Sequence, residues 1–468
     1  MKSIHKDIYY FPGLGVSLLM VAVAAIVTLS SSISSNSFFL PVTFFFCLLV
    51  GCLGSVSVSG KEESTRIYMV RLFLFSYSVN VILVYLFAYY FVYSGGSPFI
   101  PEIGHRNPDD IKYYNVGVEL ARQWRGEVSP FLEDPAMDFK YKGYAYFSAA
   151  LYYISSYFGD FSPLIPRLVN SLFGGMVIAL VFRIAQLVYE SRVAYVAALV
   201  ALFFPVWNYY SSMGLRDIVV AYFICLFSYS VLSFSERSKI KPSILLGLFL
   251  SLAGLYYFRT PIVWVGMLSA LLYFVLSIRD GFIKTSVVLM GAVLYAGAVF
   301  YGWVPGKDVF ISMMDQAERW GGWRSSVVST ESLAIKYIYQ APTVLYIPLI
   351  VLYTAAMPVP PIEGFMMHHF FVGIGALTWY FYIPFWVYAM LASFKYSRAT
   401  FLTIFTVFLF IGIAVIQPDI RHKTQFFGLA MAQIAYSLVY LHKSRNVIIT
   451  SVGVLGALLG VLYIILKI

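Results

Sequence analysis

Residues 72–92 read LFLFSYSVNVILVYLFAYYFV, a run of 21 residues without a charged side chain. At about 1.5 Å per residue in a helix, such a run covers a hydrocarbon layer about 30 Å thick. VSLLMVAVAAIVTL at 16–29 and VIITSVGVLGALLGVLYIIL at 447–466 repeat the pattern near either end of the chain. Across 468 residues, 60% are hydrophobic and only 12% are charged, so no soluble core accounts for the apolar surface. The chain reads as an all-α polytopic membrane protein. Its net charge of +10 comes in short clusters between apolar runs, which marks topology signals and gives no continuous basic face for nucleic acid. Cys47, Cys52 and Cys225 lie in or beside apolar stretches without metal-ligand spacing, so they read as packing residues. Lys2 and Lys6 precede the first apolar run without an A-x-A-like cleavage site after it, which predicts an uncleaved first span.

Spans are expected near 11–30, 37–54, 69–93, 164–187, 194–211, 216–234, 242–257, 261–278, 284–303, 371–394, 399–416, 424–441 and 447–466, about thirteen in all. With the N-terminus in the cytoplasm, Lys61 and Arg66, Arg192, Arg237 with Lys239 and Lys241, Arg279 with Lys284, Lys395 with Arg398, and Lys443 with Arg445 all fall inside. Polar segments at 95–142 and 304–342 and the turn QPDIRHKT at 417–424 then lie outside. The apolar runs at 143–158 and 343–357 would invert everything downstream if they crossed, so they are expected to be re-entrant or interfacial; a full crossing at 343–357 is the rival reading. Four regions follow: additional N-terminal transmembrane helices over 1–60, a transmembrane core over 61–303 with outer loop 95–142, a second outer segment over 304–370, and C-terminal transmembrane helices over 371–468.

The outer loop holds GHRNPDDIKYYNVGVELARQWRGE at 104–127. Asn107 and Pro108 mark a helix start, and Ile111, Tyr114, Val118 and Ala121 recur at helical spacing, so an amphipathic juxtamembrane helix is predicted there. Asp109 and Asp110 open it, either as N-terminal charges favoured by the helix dipole or as a general base at the mouth of a membrane cavity. Asp217 opens a later span beside Arg216, again as a cap, an ion-pair partner or a second acidic site residue. Lys140, Lys142, Arg259, Arg421, His422 and Lys423 fall on the same expected face, a set able to meet a phosphate-bearing lipid. The alternative for Arg421 and Lys423 is a cytoplasmic basic turn. His368 and His369 are neighbours that point to different helix faces, which favours an interfacial role over a metal site. In KDVFISMMDQAERWGGWRSS at 307–326, Trp320 and Trp323 read as interfacial anchors or as sugar-stacking residues of a lid. No GxGxxG, Walker, HExxH or GxSxG pattern stands in the right context.

The order of these features resembles the GT-C superfamily of membrane glycosyltransferases, in particular the branch of protein O-mannosyltransferases and the lipid A aminoarabinose transferase. PDDIKYYNVGVELARQW at 108–124 resembles that family's acidic residue, tyrosine and surface helix. GYAYFSAALYYISSYFGDFSPLIPRLVNSLFGG at 143–175 is similar to its juxtamembrane segment followed by "FG" and an arginine opening the next span. ESRVAYVAALVALFFPVWNYYSSMGLRD at 190–217 and GLFLSLAGLYYFRTPIVWV at 247–265 resemble the stretches that end in the second acidic residue and in an Arg-Pro-like turn. The resemblance covers roughly 95–280 and, more weakly, the RHK turn near 421. Lys142 is followed by Gly143 and Tyr144 where the family has Lys-Pro-Pro, and Thr260 separates Arg259 from Pro261. Two spans precede the one that leads into the acidic loop, where the family has one, so residues 1–60 read as an addition.

What the resemblance implies is a GT-C-like fold and transfer of a sugar from a polyprenyl-phosphate-linked donor to a lipid, glycan or protein acceptor, with inversion, at the extracytoplasmic face of a prokaryotic inner membrane. Asp109 takes the catalytic position with Asp110 as its fallback, and Asp217 the second acidic one. Lys142, Arg259, Arg421 and Lys423 would bind the donor phosphate, and Tyr113, Lys140 and His422 the substrate. No metal ligand is assigned. A divalent metal stays open, since oligosaccharyl-transferring relatives use one and the single-sugar branch generally does not. Besides membrane lipids, the expected partners are the donor and acceptor, with no nucleic acid. A surface polysaccharide polymerase or ligase is the alternative enzyme, although its large outer loop usually lies in the C-terminal half. A lipid-linked oligosaccharide flippase is the alternative transporter, for which paired repeats with broken spans would be expected.

Overall fold

The computed structural model describes residues 13–33, 39–60, 62–95, 99, 109–127, 142–159, 161–236, 241–277, 343–356, 367–393, 397–416, 420–440, 450 and 454. Over these the chain forms α1 (Gly13–Ile33), α2 (Phe39–Val58), α3 (Glu63–Gly95), α4 (Asp109–Trp124), α5 (Lys142–Ser156), α6 (Leu164–Val188), α7 (Ser191–Leu202), α8 (Pro205–Ser211), α9 (Arg216–Glu236), α10 (Pro242–Ser277), α11 (Thr343–Ala356), α12 (Met367–Ser393), α13 (Ser397–Ile416) and α14 (Ile420–Tyr440). No strand occurs among the described residues. A helix satisfies its backbone groups within its own segment, which hydrocarbon demands because an open sheet edge there has no water to turn to.

Six helices among the described residues are long and apolar enough to cross a membrane. The stretches expected at 284–303 and 304–342 lie outside the described residues, as does nearly all of 447–466, and the apolar helices Gly15–Thr28 and Arg398–Ala414 fall short of that length. Buried share separates the centre of the bundle from its rim. The apolar window of α6 is 89% buried by protein, against 39% for α2 and 33% for α10. Accordingly α10 and α2 turn bulky side chains outward, such as Phe249 at 67% and Phe46 at 63% exposed, a surface suited to lipid. Residues of α1–α3 and the start of α6, among them Val23, Phe44, Phe73, Tyr77 and Leu168, form an apolar nucleus of their own beside the main core.

Two places depart from the sequence reading. The span expected at 194–211 is broken into α7 and α8, bent by 62°, because Pro205 forces Phe204 into extended backbone (φ −77°, ψ 111°). The turn expected at 417–424 is helical from Ile420 onward, so Arg421, His422 and Lys423 form the first turn of α14. The expected spans 242–257 and 261–278 are the two arms of α10, which reverses at Arg259, whose backbone is extended (φ −160°, ψ 75°) two residues before Pro261. Both arms lie along α9. Gly247 approaches Ser230 and Gly254 approaches Phe223 on the way in; Gly266 approaches Phe227 and Tyr273 bonds to Ser235 on the way out. That order fixes Arg259 at the end of α9 where Asp217 lies.

The two segments suspected of being interfacial are short helices. At 15 residues, α5 packs on α4, and α11 spans 14 residues against α13.

Candidate active site

The site is built where the first turns of α4, α9 and α14 meet the reversal of α10. Each helix start turns unpaired backbone N–H groups and a positive dipole end toward this rim, which favours anions there. Asp217, in the first turn of α9, is fully buried. Its Oδ2 accepts a hydrogen bond of 2.7 Å from Arg421 Nε. Its Oδ1 accepts 2.7 Å from Gln425 Nε2 and faces His422 Nδ1 at 3.1 Å, while Arg259 Nη1 stands 3.7 Å away. A buried carboxylate is sustained only by such convergent donors.

Arg421 also donates through Nη1 to Asp109 Oδ2 at 2.6 Å. One guanidinium therefore joins a buried carboxylate to one that is 26% exposed. The planar fork of arginine permits this double role, which a lysine point charge does not reproduce.

Asp110 takes a different course from its neighbour. Its Oδ2 lies 3.3 Å from Arg167 Nη2, both side chains being 1% exposed, and its Oδ1 accepts from the Ile111 backbone N–H at 2.9 Å. The ring of Phe99 lies 5.9 Å from the Arg167 guanidinium. Beside this pair is a small recess of about 10 Å³ bordered by Tyr113, Tyr144, Ser148 and Tyr152. Tyr113 stacks edge-on against Tyr144 at 4.7 Å, and burial pushes the Tyr113 phenol above its ordinary value. Asn170 fastens α6 to the segment before α9 by donating to the carbonyls of Met213 and Leu215 at 2.6 and 2.8 Å.

Of the residues singled out from sequence, Asp109, Asp217, Arg259, Arg421 and His422 share one cluster, with Asp110 and Tyr113 on the adjoining turn of α4. Lys423 is fully buried, and two positions along a helix places it on the far side from Arg421. Lys140, the side chain of Lys142, those of His368 and His369, and the segment with Trp320 and Trp323 lie outside the described residues. The backbone beside Lys142 is nonetheless informative. A Cβ on Gly143 would stand 2.1 Å from the Tyr257 carbonyl oxygen, so α5 abuts the chain two residues before Arg259. Glycine, with no Cβ, permits that approach.

Three partners were not foreseen as site residues: Arg167, Asn170 and Gln425. Arg167 carried a signal, being an arginine inside an apolar helix. Gln425 lies one turn after Arg421, and neither it nor Asn170 carries charge. Among the described residues no group of three His, Cys, Asp or Glu side chains is placed to hold a metal ion.

Residues 141–304 match the family model of dolichyl-phosphate-mannose-protein mannosyltransferases, a segment that contains Arg167, Asp217 and Arg259. That match covers about a third of the chain. Its fold is similar to that of the archaeal oligosaccharyltransferase AglB from Archaeoglobus fulgidus, solved with an inhibitory peptide and a dolichol-phosphate, at 15% identity and a TM-score of 0.48 over 82% of this chain and 52% of that one. ArnT from Cupriavidus metallidurans, solved bound to undecaprenyl phosphate, is similar at 16% identity and a TM-score of 0.38, over 77% of this chain and 59% of that one. The chain thus spans between half and three fifths of the length of both structures. No curated protein matches it in sequence.

Proposed function

We propose that this chain is a GT-C-type transferase that moves a sugar from a polyprenyl-phosphate-linked donor to a hydroxyl or amine acceptor at the extracytoplasmic rim of a cell membrane. The observation that carries the reading is Arg421, held at once by buried Asp217 and by part-exposed Asp109. Arg259 and Arg421 supply the charge for a lipid-linked phosphate, and the apolar spans around them supply room for its tail. A carboxylate bound to a guanidinium is a poor base. A donor phosphate competing for Arg421 Nη1 would release Asp109, which then takes the proton of the acceptor. The acceptor atom bonds to the anomeric carbon from the face opposite the phosphate, so the configuration inverts. The bond from that carbon to the phosphate oxygen breaks, and polyprenyl phosphate departs against Arg259 and Arg421. Asp217 keeps both arginines in place.

The test is transfer of labelled sugar from a purified polyprenyl-phosphate donor by protein in detergent, where a flippase forms no new bond. Asp109→Asn is expected to abolish transfer while leaving folded yield unchanged; transfer at the wild-type level removes Asp109 from this role.

A further inference from the structure

His422 stands inside the charged rim and takes no part in the transfer step described above. Its side chain is 2% exposed. Nδ1 lies 3.1 Å from Asp217 Oδ1, an oxygen that also accepts from Gln425 Nε2, while Asp217 Oδ2 accepts from Arg421. A carboxylate met by donors on both oxygens acts only as an acceptor, so Nδ1 carries the hydrogen and donates it. Nε2, on the opposite edge of the ring, is buried without a hydrogen-bond partner.

That bare nitrogen fixes the charge of the ring. On an imidazolium it would be a charged N–H donor stranded away from water, the costlier kind of unmade hydrogen bond. The surroundings act in the same direction. Among the described residues, the charged groups that act on Asp217 and His422 are Arg216 of α9, Arg259 of α10 and Arg421 of α14, against Asp217 itself and Asp109 of α4. Three cations face two anions, so the rim holds one positive charge in excess with His422 neutral. Asp110 and Arg167 cancel each other, and buried Tyr113 is an uncharged phenol. Of the other helices packed on α14, α6 and α13 hold Arg183 and Arg398 at the opposite end of the bundle, where Arg398 donates to the Leu187 carbonyl, and α7 holds Arg192 in its first turn. α12 opens with His368 and His369, whose side chains lie outside the described residues.

A sugar joined to polyprenyl phosphate is a phosphodiester with a single negative charge, which matches the excess. The departing polyprenyl phosphate is a monoester able to carry a second one. We propose that His422 takes up a proton at Nε2 when a phosphate monoester occupies Arg259 and Arg421, so that the rim is balanced with either lipid. The proposal rests on the transfer reading above. His422 Nδ1 and Arg259 Nη1 lie 3.1 and 3.7 Å from the same Asp217 oxygen, so an anion on Arg259 acts on the ring at close range in buried surroundings, where it favours the protonated form. The proton comes from solvent and returns to it when the lipid leaves. The spent carrier is therefore held more tightly in acid than in base.

The test is calorimetric titration of the full chain in detergent with polyprenyl phosphate at about pH 7, in two buffers of different ionisation enthalpy, which counts the protons exchanged. The wild type is expected to take up about one proton more per lipid than His422→Asn, whose amide nitrogen can still donate to Asp217 and cannot titrate. Its affinity advantage over that variant should shrink about tenfold between about pH 6 and about pH 8. His422→Gln is a second variant without a titrating ring, and size-exclusion behaviour reports which of the two folds. Polyprenyl methyl phosphate, a diester, should bind without the uptake. Equal proton counts for the wild type and the folded variant, or the same uptake with the diester, overturn the inference and leave the lipid-phosphate site in place. Failure of the wild type to bind polyprenyl phosphate at any pH overturns the transfer reading, and the inference with it.

Discussion

Asp110 and Arg167 form an ion pair at 3.3 Å with both side chains 1% exposed, while Asp109, one residue earlier, is 26% exposed. Removing one partner of such a buried pair strands the other charge, at a cost of about 3–5 kcal/mol. Asp110→Ala and Arg167→Ala are therefore expected to lower the melting temperature in detergent sharply, whereas Asp109→Asn should leave it near the wild-type value. A melt for Asp110→Ala that matches the wild type would contradict the structural role given to the pair.

Arg421 spans Asp109 and Asp217 with separate nitrogens. Lysine keeps the charge and loses the fork. Arg421→Lys is expected to reduce transfer by about 10²–10³, the scale of losing one preorganised donor to developing charge. The loss should appear in kcat/KM, measured with donor concentration varied at saturating acceptor.

The same guanidinium sits between two carboxylates, the position in which a divalent ion would otherwise bridge them. Transfer is expected to persist after treatment with a chelator. A chelator-sensitive reaction restored by magnesium or manganese would show that Arg421 does not supply the bridging charge.

Gly143 touches the chain just before Arg259. An added methyl at 2.1 Å from the Tyr257 carbonyl must push α5 away or shift the reversal of α10. Displacements of about 1 Å near a reacting centre cost on the order of 10²-fold in rate. Gly143→Ala is expected to show that scale of loss with a modest change in melting temperature, read by transfer and thermal unfolding on the same preparation.

Tyr113 is buried in α4, and burial raises its phenol above the ordinary value of 10.0. Below that value the tyrosine is neutral in both folded and unfolded chain, and its contribution is fully present. As pH rises further the unfolded chain ionises first, so the contribution is lost progressively toward the raised folded value. Melting temperature is expected to decline above about pH 10, and Tyr113→Phe should flatten part of that decline. An identical decline in the variant would show that Tyr113 does not contribute to it.

Hydropathy made the membrane class legible, because an uncharged run such as 72–92 has few other uses. Charge at the edges of spans made Asp217, Arg259 and Arg421 legible, since an ionisable group there is costly unless it meets a partner. The break at Pro205 was hidden by the apolar residues around it, which a hydropathy window averages over. The division of labour between Asp109 and Asp110 was hidden for another reason. Both open the same helix, and only the way α4 is placed in the fold, packed on α5, decides which one faces Arg167 and which one faces water. Gln425 and Asn170 carry no charge, and their value arises from what the fold places opposite them.

Arg421 reaches a carboxylate 312 residues earlier in the chain. During synthesis, therefore, the rim stays unassembled until the last part of the polypeptide is threaded into the bilayer. A ribosome-bound fragment that already carries both acidic residues lacks the cation that organises them, so a product terminated before residue 421 would occupy the membrane with Asp109 and Asp217 left unbridged.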